Sequence, residues 1–409
     1  MSKTGKLIPK RRFGGFINDN EWKKNFLHEI SEVYDGTHQT PNYTKAGIMF
    51  LSVENIKTLH SEKFISKEAY EKDFKIKPER NDILMTRIGD IGTANIIKYD
   101  IPIAYYVSLA LIKAKLNAYF LKANITSPYI QAELWKRTLH IAFPKKINKS
   151  EIENVLVKYP DRKEQILIGE FFKKLDALIQ TQQKKLEKTK TLKSAYLAEM
   201  FPCDGELKPH YRFQCFNEVW TKNLFYNLAN IRRGLTYNPS HLTNDGIRIL
   251  RSSNIDEDRF IIKDDDIFIN EKNVNIPVVS ENDVLITAAN GSSRLVGKHA
   301  LISLPKSQKA VHGGFMLLAT SKQPFFTNAL LSSNWYRKFL NVYIAGGNGS
   351  IGNLNKKTIE NQLIKIPSTK EQTKIGNFFK LLDKKIALEQ RKLEKLNNIK
   401  QAYLNEMFV

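Results

Sequence analysis

Few stretches of this 409-residue sequence carry residue types that make or break covalent bonds. Gly347, Asn348, Gly349, Ser350, Ile351 and Gly352 match G-x-G-x-x-G. A dinucleotide site would need a helix directly after that pattern and an acidic residue closing the next strand. Asn353, Leu354, Asn355 and Lys356 follow instead, so the stretch reads as a mobile Gly-rich loop. Asp161, in PDRK, sits where a nuclease metal ligand could, but it precedes a long periodic segment and fits a helix cap. Asp264, Asp265 and Asp266 could hold a cation and read as a solvated turn. Cys203 and Cys215 are too few for a disulfide framework, and no Cys/His spacing resembles a zinc site. The chain has no phosphate-binding G-x-x-x-x-G-K-[ST], no nucleophile elbow and no Pro-Pro pair, which excludes the Asn/Asp-Pro-Pro-aromatic motif of an adenine methyltransferase. The residues therefore predict no catalytic group, no metal and no cofactor in this chain.

What remains is hydrogen-bonding chemistry on a basic background. The formal net charge is +22, which favours an anionic polymer or surface as partner. Cut at residues 159, 202 and 366, the chain gives four pieces with charges of +9, +3, +6 and +4. The surplus is spread over the body instead of standing in a tail, so the folded parts should face the polyanion. Two turn-rich segments, 34–43 and 232–241, are dense in donors and acceptors. The first offers Tyr34, Thr37, His38, Gln39, Thr40 and Tyr43; the second offers Arg232, Arg233, Thr236, Tyr237, Asn238 and His241. A second pair of loops follows the strands of NDILMT and NDVLIT and offers Arg87 and Asp90, then Asn290, Ser292 and Arg294. Arg, Asn and Gln can make paired hydrogen bonds to guanine and adenine edges, while Gly lets backbone come close. These residues, with Asn348, are the candidate DNA-binding set.

The elements that would carry these loops are written twice. Residues 160–201 and 367–408 are identical at 24 of 42 positions without a gap. Upstream, weaker matches keep their order: RFGGF with RFQCF, Trp22 with Trp220, GTHQTP with GLTYNP, and Trp135 with Trp335. The plan is domain, helix, domain, helix. Pro160 and Pro367 mark helix entries, and Asp161 with Glu164, like Ser368 with Glu371, fits a capping pair. Apolar residues then recur at a mean spacing of 3.5: Ile168, Phe172, Leu175, Ile179, Leu186 and Tyr196, and again Ile375, Phe379, Leu382, Ile386, Leu393 and Tyr403. That period is a coiled-coil seam, with Gln182 and Glu389 as matched polar interruptions that would help fix its register. The expected fold is α+β: two similar domains, 1–159 and 203–366, separated by two long helices, 160–202 and 367–409, that form an antiparallel coiled coil with an approximate two-fold axis. Helical stretches are expected near 128–139 and 327–340, and strands at IMFLSV, DILMT, VLIT, ALISL and GFMLLAT. The N-terminus lacks the apolar core of a signal peptide, and no run of about 18 apolar residues occurs. A cytoplasmic protein with no membrane partner is expected.

The RF..F openings with Trp22 or Trp220, the Gly-x-x-x-x-Pro turns and the P..KEQ..IG.FF..LD..I…KLEK…K.AYL.EMF helices resemble the specificity subunit of type I restriction–modification systems over the whole chain. The resemblance implies two target recognition domains, each reading half of a bipartite double-stranded DNA site. It also implies a helical spacer that sets the gap and docks two methyltransferase subunits, with motor–nuclease subunits joining through them. By the same resemblance this chain is no enzyme; S-adenosylmethionine, ATP and Mg would be used by the partner subunits. The alternative reading is a coiled-coil scaffold that bridges proteins without specific DNA recognition, which a salt-dependent DNA-binding assay would separate.

Overall fold

The computed structural model describes residues 7–17, 21–344 and 353–409. Its contacts divide the chain into two compact units, Met1–Lys184 with Arg391–Val409, and Lys185–Gln390. Both units are α+β, and each contains part of both long helices, Arg162–Glu199 and Thr369–Glu406.

In the first unit, Ser31–Asp35, Leu109–Ala114, Ile83–Ile88 and Asp90–Ile96 form a four-stranded antiparallel sheet in that order. A smaller sheet pairs Ile48–Leu51 antiparallel to Phe64–Ile65 and parallel to Ile103–Tyr105. Lys23–Phe26 pairs with Leu156–Tyr159, closing the domain where it meets the first long helix. Ala118–Thr126 and Pro128–Lys136 pack near the sheet; Asn117 and Ser127 cap them through side-chain oxygens, as short polar residues do at helix starts.

The second unit repeats the plan. Asn230–Arg233, Met316–Thr320, Val284–Thr287 and His299–Leu301 form its four-stranded sheet. Ile247–Leu250 runs parallel to Ala310–His312 in the counterpart of the smaller sheet, which Ile267–Ile269 and Leu242–Thr243 here extend to four strands, and Thr221–Leu224 pairs with Leu363–Ile366 at the helix entry. The single helical stretch expected near 327–340 is two helices, Pro324–Ser332 and Asn334–Tyr343. The break falls at Ser333, whose hydroxyl donates to the Leu330 carbonyl at 2.7 Å and so competes with continued helix.

The long helices meet in the same way in each unit. In the first, Phe172 packs on Phe408 and Phe171 on Tyr403, while Asp176 accepts from Lys400 at 2.7 Å and from Lys122 at 2.5 Å. In the second, Phe379 packs on Phe201 and Phe378 on Tyr196, while Asp383 pairs with Lys193 at 2.6 Å. Later residues of one helix face earlier residues of the other, which is antiparallel packing. Ile168, Phe172, Leu175, Ile179, Leu186, Ile375, Phe379 and Leu382 are buried as the seam requires; Tyr196, Ile386, Leu393 and Tyr403 are half-buried. Toward the helix ends the burial moves one position on, to Leu197 and Leu404. Glu389 is buried in the seam, and Lys185 bonds it at 2.9 Å.

The helix entries show why the repeated sequence is what it is. Arg12 grips Glu164 through two parallel bonds of 2.9 and 2.6 Å, and Arg212 grips Glu371 through two of 2.7 Å. Planar guanidinium matched to carboxylate is the strong form of this contact. The Arg12 and Glu164 side chains are only 4% and 1% exposed. The capping expectation is therefore half corrected. Asp161 does cap, accepting from the Glu164 amide at 2.9 Å, but the Glu164 carboxylate turns to Arg12 instead of back to the cap. Gln165 and Gln372 each donate to the carbonyl of the proline five residues before, at 2.9 Å. One turn on, a Cβ on Gly169 would stand 2.5 Å from Asn117 Oδ1, and one on Gly376 would stand 2.6 Å from the Phe326 amide nitrogen. Only glycine lets the long helix approach each domain's own helix so closely.

Candidate nucleic-acid interface

Each domain presents loops at the end of its sheets, held by a turn of one design. Asn81 and Asn282 adopt left-handed backbone, φ 73° and 66°, in the turns that enter the central strands. Asp82 and Asp283 accept from the amides three residues before, at 2.8 and 2.9 Å. Asn tolerates that backbone where most residues do not. In the smaller sheet, the strand Ile48–Leu51 leads into a loop in which Asn55 accepts from the Ser52 amide at 2.9 Å; after Ile247–Leu250, Asn254 accepts from the Arg251 amide at 2.8 Å.

In the second domain the two predicted loops come together. Thr236 and Tyr237 of one, and Asn290 of the other, line a cavity of 810 Å³ with Arg251, Ser252, Gly313, Gly314 and Phe315. Asn290 donates to the Ser252 hydroxyl at 3.0 Å and accepts from the Ser292 amide at 3.0 Å, so its amide orientation is set. Leu235 bridges to Gly313, and a Cβ on Gly234 would lie 1.9 Å from the Gly313 oxygen, which makes the glycine obligatory for this close approach. Arg233, Thr236, Asn238, Ser292 and Arg294 are exposed, while Arg232, Tyr237 and His241 are partly buried. Asn238 accepts from the Ser240 amide at 3.1 Å, shaping its turn. A neighbouring cavity of 740 Å³ is lined by Arg232, Arg233, His312, Lys356, Lys357 and Glu360. Four cations against one carboxylate suit phosphate oxygens. Arg232 is anchored on Asp283 and the Pro277 carbonyl, each at 3.3 Å. His312 is fully buried, and burial pushes its imidazole down to about 4, so it stands neutral.

In the first domain the corresponding loops are joined differently. Arg87 is buried; its guanidinium bonds Asp35 and, at 3.2 Å, the Ile147 carbonyl. Arg87 lies within the strand Ile83–Ile88 instead of in the loop after it, and from inside the fold it ties that strand to the end of Ser31–Asp35. His38, Gln39, Thr40, Tyr43 and Asp90 are exposed, and Tyr34 and Thr37 are partly so. Thr37 donates its amide to the Tyr105 carbonyl at 3.2 Å and accepts from Val107 at 3.0 Å, which lays the loop along the smaller sheet. Tyr34 donates its hydroxyl to Glu32 at 2.8 Å, and that bond raises its pKa. Asn348 and the rest of 347–352 lie outside the described residues.

The structure adds residues that the sequence reading passed over. In both domains a third loop, 106–108 or 313–315, bridges to the predicted Gly turn. Phe315, at its tip, is 74% exposed beside Asn290's cavity. Among the described residues, no helix is long and apolar enough to cross a membrane.

A family profile described as type I restriction modification DNA specificity domain matches the chain twice, at residues 19–190 and 227–398. No curated protein matches it. Among solved structures, the S subunit of a type I restriction–modification system from M. genitalium is 14% identical, with a TM-score of 0.67 over 98% of this chain and 99% of that one. A chain from a study of complex assembly and conformational transition of the type I R-M system is also 14% identical, with a TM-score of 0.51 over 95% of this chain and 97% of that one. At these identities the likeness is one of fold.

Proposed function

We propose, since the chain belongs to the type I restriction modification DNA specificity family, that each of its two domains reads one half of a bipartite double-stranded DNA site. The chain is a DNA-recognition subunit of such a system, and its partners are DNA and the other components of the complex. The observation that carries the half-site reading is the pair of domains with one backbone plan and unlike loop side chains. The same turn carries Asp35, Thr37 and His38 in one domain and Arg233, buried Leu235 and Thr236 in the other. A shared scaffold with different donors and acceptors suits two different base sequences. In this reading, 1–159 and 203–366 are the target recognition domains, and 160–202 and 367–409 are the spacer.

The candidate base-facing groups are Thr37, His38, Gln39, Thr40, Tyr43 and Asp90 in the first domain, and Thr236, Tyr237, Asn238, His241, Asn290, Ser292, Arg294 and Phe315 in the second. Arg233, Lys356 and Lys357 would hold phosphates, while Arg87 and Arg232 position loops. The antiparallel helices act as a ruler for the gap between half-sites and dock two methyltransferase subunits, through which motor–nuclease subunits join. The chemistry belongs to those partners, with S-adenosylmethionine, ATP and Mg; this chain contributes binding and no catalytic group. The working place of such a complex is the cytoplasm.

Inserting four residues into one long helix lengthens it by about 6 Å. Methylome sequencing should then show an altered gap and unchanged half-sites; an altered half-site with the old gap would refute the ruler. Exchanging residues near 30–150 for a relative's should change one half of the target only. Change in both halves would refute independent readers.

A further inference from the structure

The junction between the first long helix and the second domain holds three side chains of metal-binding types that the sequence spacing did not announce. Cys203, Glu206 and His210 are exposed, and one donor atom from each lies within 4.8 Å of the others. The site is accessible to an ion from solvent. Hydrogen bonds of the protein organise its backbone. The Glu206 amide bonds the Cys203 carbonyl at 3.2 Å, and Tyr211 donates to the Glu199 carbonyl at 2.9 Å. Lys365 holds the Cys203 carbonyl from the other side at 2.5 Å. The imidazole stands between two carboxylates: Nε2 is 3.1 Å from Glu206 and Nδ1 is 3.4 Å from Glu199.

The other junction shows that this cluster is no general requirement of the fold. In the first unit, Glu406 holds the place that Glu199 has in the second, since Arg11 donates its amide to the Glu406 carbonyl at 2.9 Å. There the carboxylate is closed by the Arg11 guanidinium at 2.5 Å. Arg11 cannot ligate a cation and would repel one. The second unit replaces that closed ion pair with a thiol, an imidazole and a second carboxylate.

We propose that Cys203, Glu206 and His210 bind a borderline-soft divalent ion of the zinc class, with Glu199 orienting the histidine and water filling the fourth position. The donor set is S, O and N, which zinc accepts in tetrahedral geometry. Donors sharing one such ion stand roughly 3.5 Å apart, so exposed side chains need only a small closing movement. A metal-bound imidazole characteristically gives its other N–H to a carboxylate, and Glu199 is placed to receive it. Binding releases the Cys203 thiol proton to solvent and fastens the end of the first long helix to the entry of the second domain.

The test uses the full chain without an affinity tag, stripped of metal and titrated with Co²⁺. One equivalent should bring up a thiolate-to-cobalt absorption band, which Zn²⁺ then abolishes. Cys203→Ser should lose the band and Cys215→Ser should keep it. Glu199→Gln should weaken zinc, measured against a chromophoric chelator, by about 10–100-fold. The inference is overturned if the wild-type chain gives no band, or if Cys203→Ser and Cys215→Ser behave alike. All of these side chains are exposed, and circular dichroism checks that each variant is folded.

Discussion

The two domain–helix entries and the two sets of loops have diverged at different speeds, and the contrast shows what each is for. At the entries, Arg12 with Glu164 repeats as Arg212 with Glu371, Gly169 repeats as Gly376, and Trp22 against Phe408 repeats as Trp220 against Phe201. At the loops the turn-forming Asn and Asp residues repeat, but the ties between loops do not: buried Arg87 ties Asp35 in one domain, while Arg232 ties Asp283 in the other. The entries are under a packing constraint that few residues satisfy. The loops need only keep their backbone turns and are otherwise free to change partners.

The largest expected effect tests the likeness of the entries. Arg12→Ala strands the Glu164 carboxylate in a buried site and should cost about 3–5 kcal/mol, with Arg212→Ala costing a similar amount. Denaturant unfolding measures both, and a near-neutral result for either would break the equivalence. A smaller effect sharpens the difference. His312 and Tyr105 stand at the same place in the parallel strand pairs, opposite Leu250 and Leu51. Burial lowers the His312 imidazole to about 4 and raises the Tyr105 phenol. Below the ordinary histidine value of 6.5, the unfolded chain takes up a proton that the folded one refuses. His312 should therefore destabilise the second unit as pH falls from about 6.5 to about 4, by about 3 kcal/mol in all. Tyr105 titrates nowhere in that window. His312→Gln should flatten this part of the stability curve, and an unchanged slope would show that the imidazole charges freely in the fold. The smallest effect concerns the reciprocal pairs along the seam. Lys193→Ala and Lys400→Ala remove partly exposed ion pairs, and each should cost at most about 1 kcal/mol and weaken in salt. A loss of several kcal/mol in either would make these pairs determinants of the seam.

Much of this arrangement was legible in the sequence because it is periodic or repeated. The long helices carry their 3.5-residue spacing over ten turns, and the duplication located both domains. Contacts between distant positions were less legible. Arg12 and Glu164 are each visible as motif members, but nothing local says that residues 152 apart meet, and the local pattern alone assigns Glu164 to its own helix cap. Arg87 looked like a surface base reader because its counter-ion, Asp35, lies 52 residues away. A fixed spacing names Tyr196 and Tyr403, which do pack across the helix pair, but it passes over Leu197 and Leu404, which the helix turn buries more deeply. Phe315 was missed because it directly precedes the apolar strand residues Met316–Thr320 and was absorbed into their pattern.

Trp22 is covered by Phe408, at the far end of the second long helix. Closing that contact spans 386 positions, so the first unit remains without its lid while the ribosome builds the second. Such a chain should stall as a sticky, partly formed species whenever synthesis stops before that helix, and the first unit's maturation should be timed by the arrival of the second long helix instead of by the folding of either sheet.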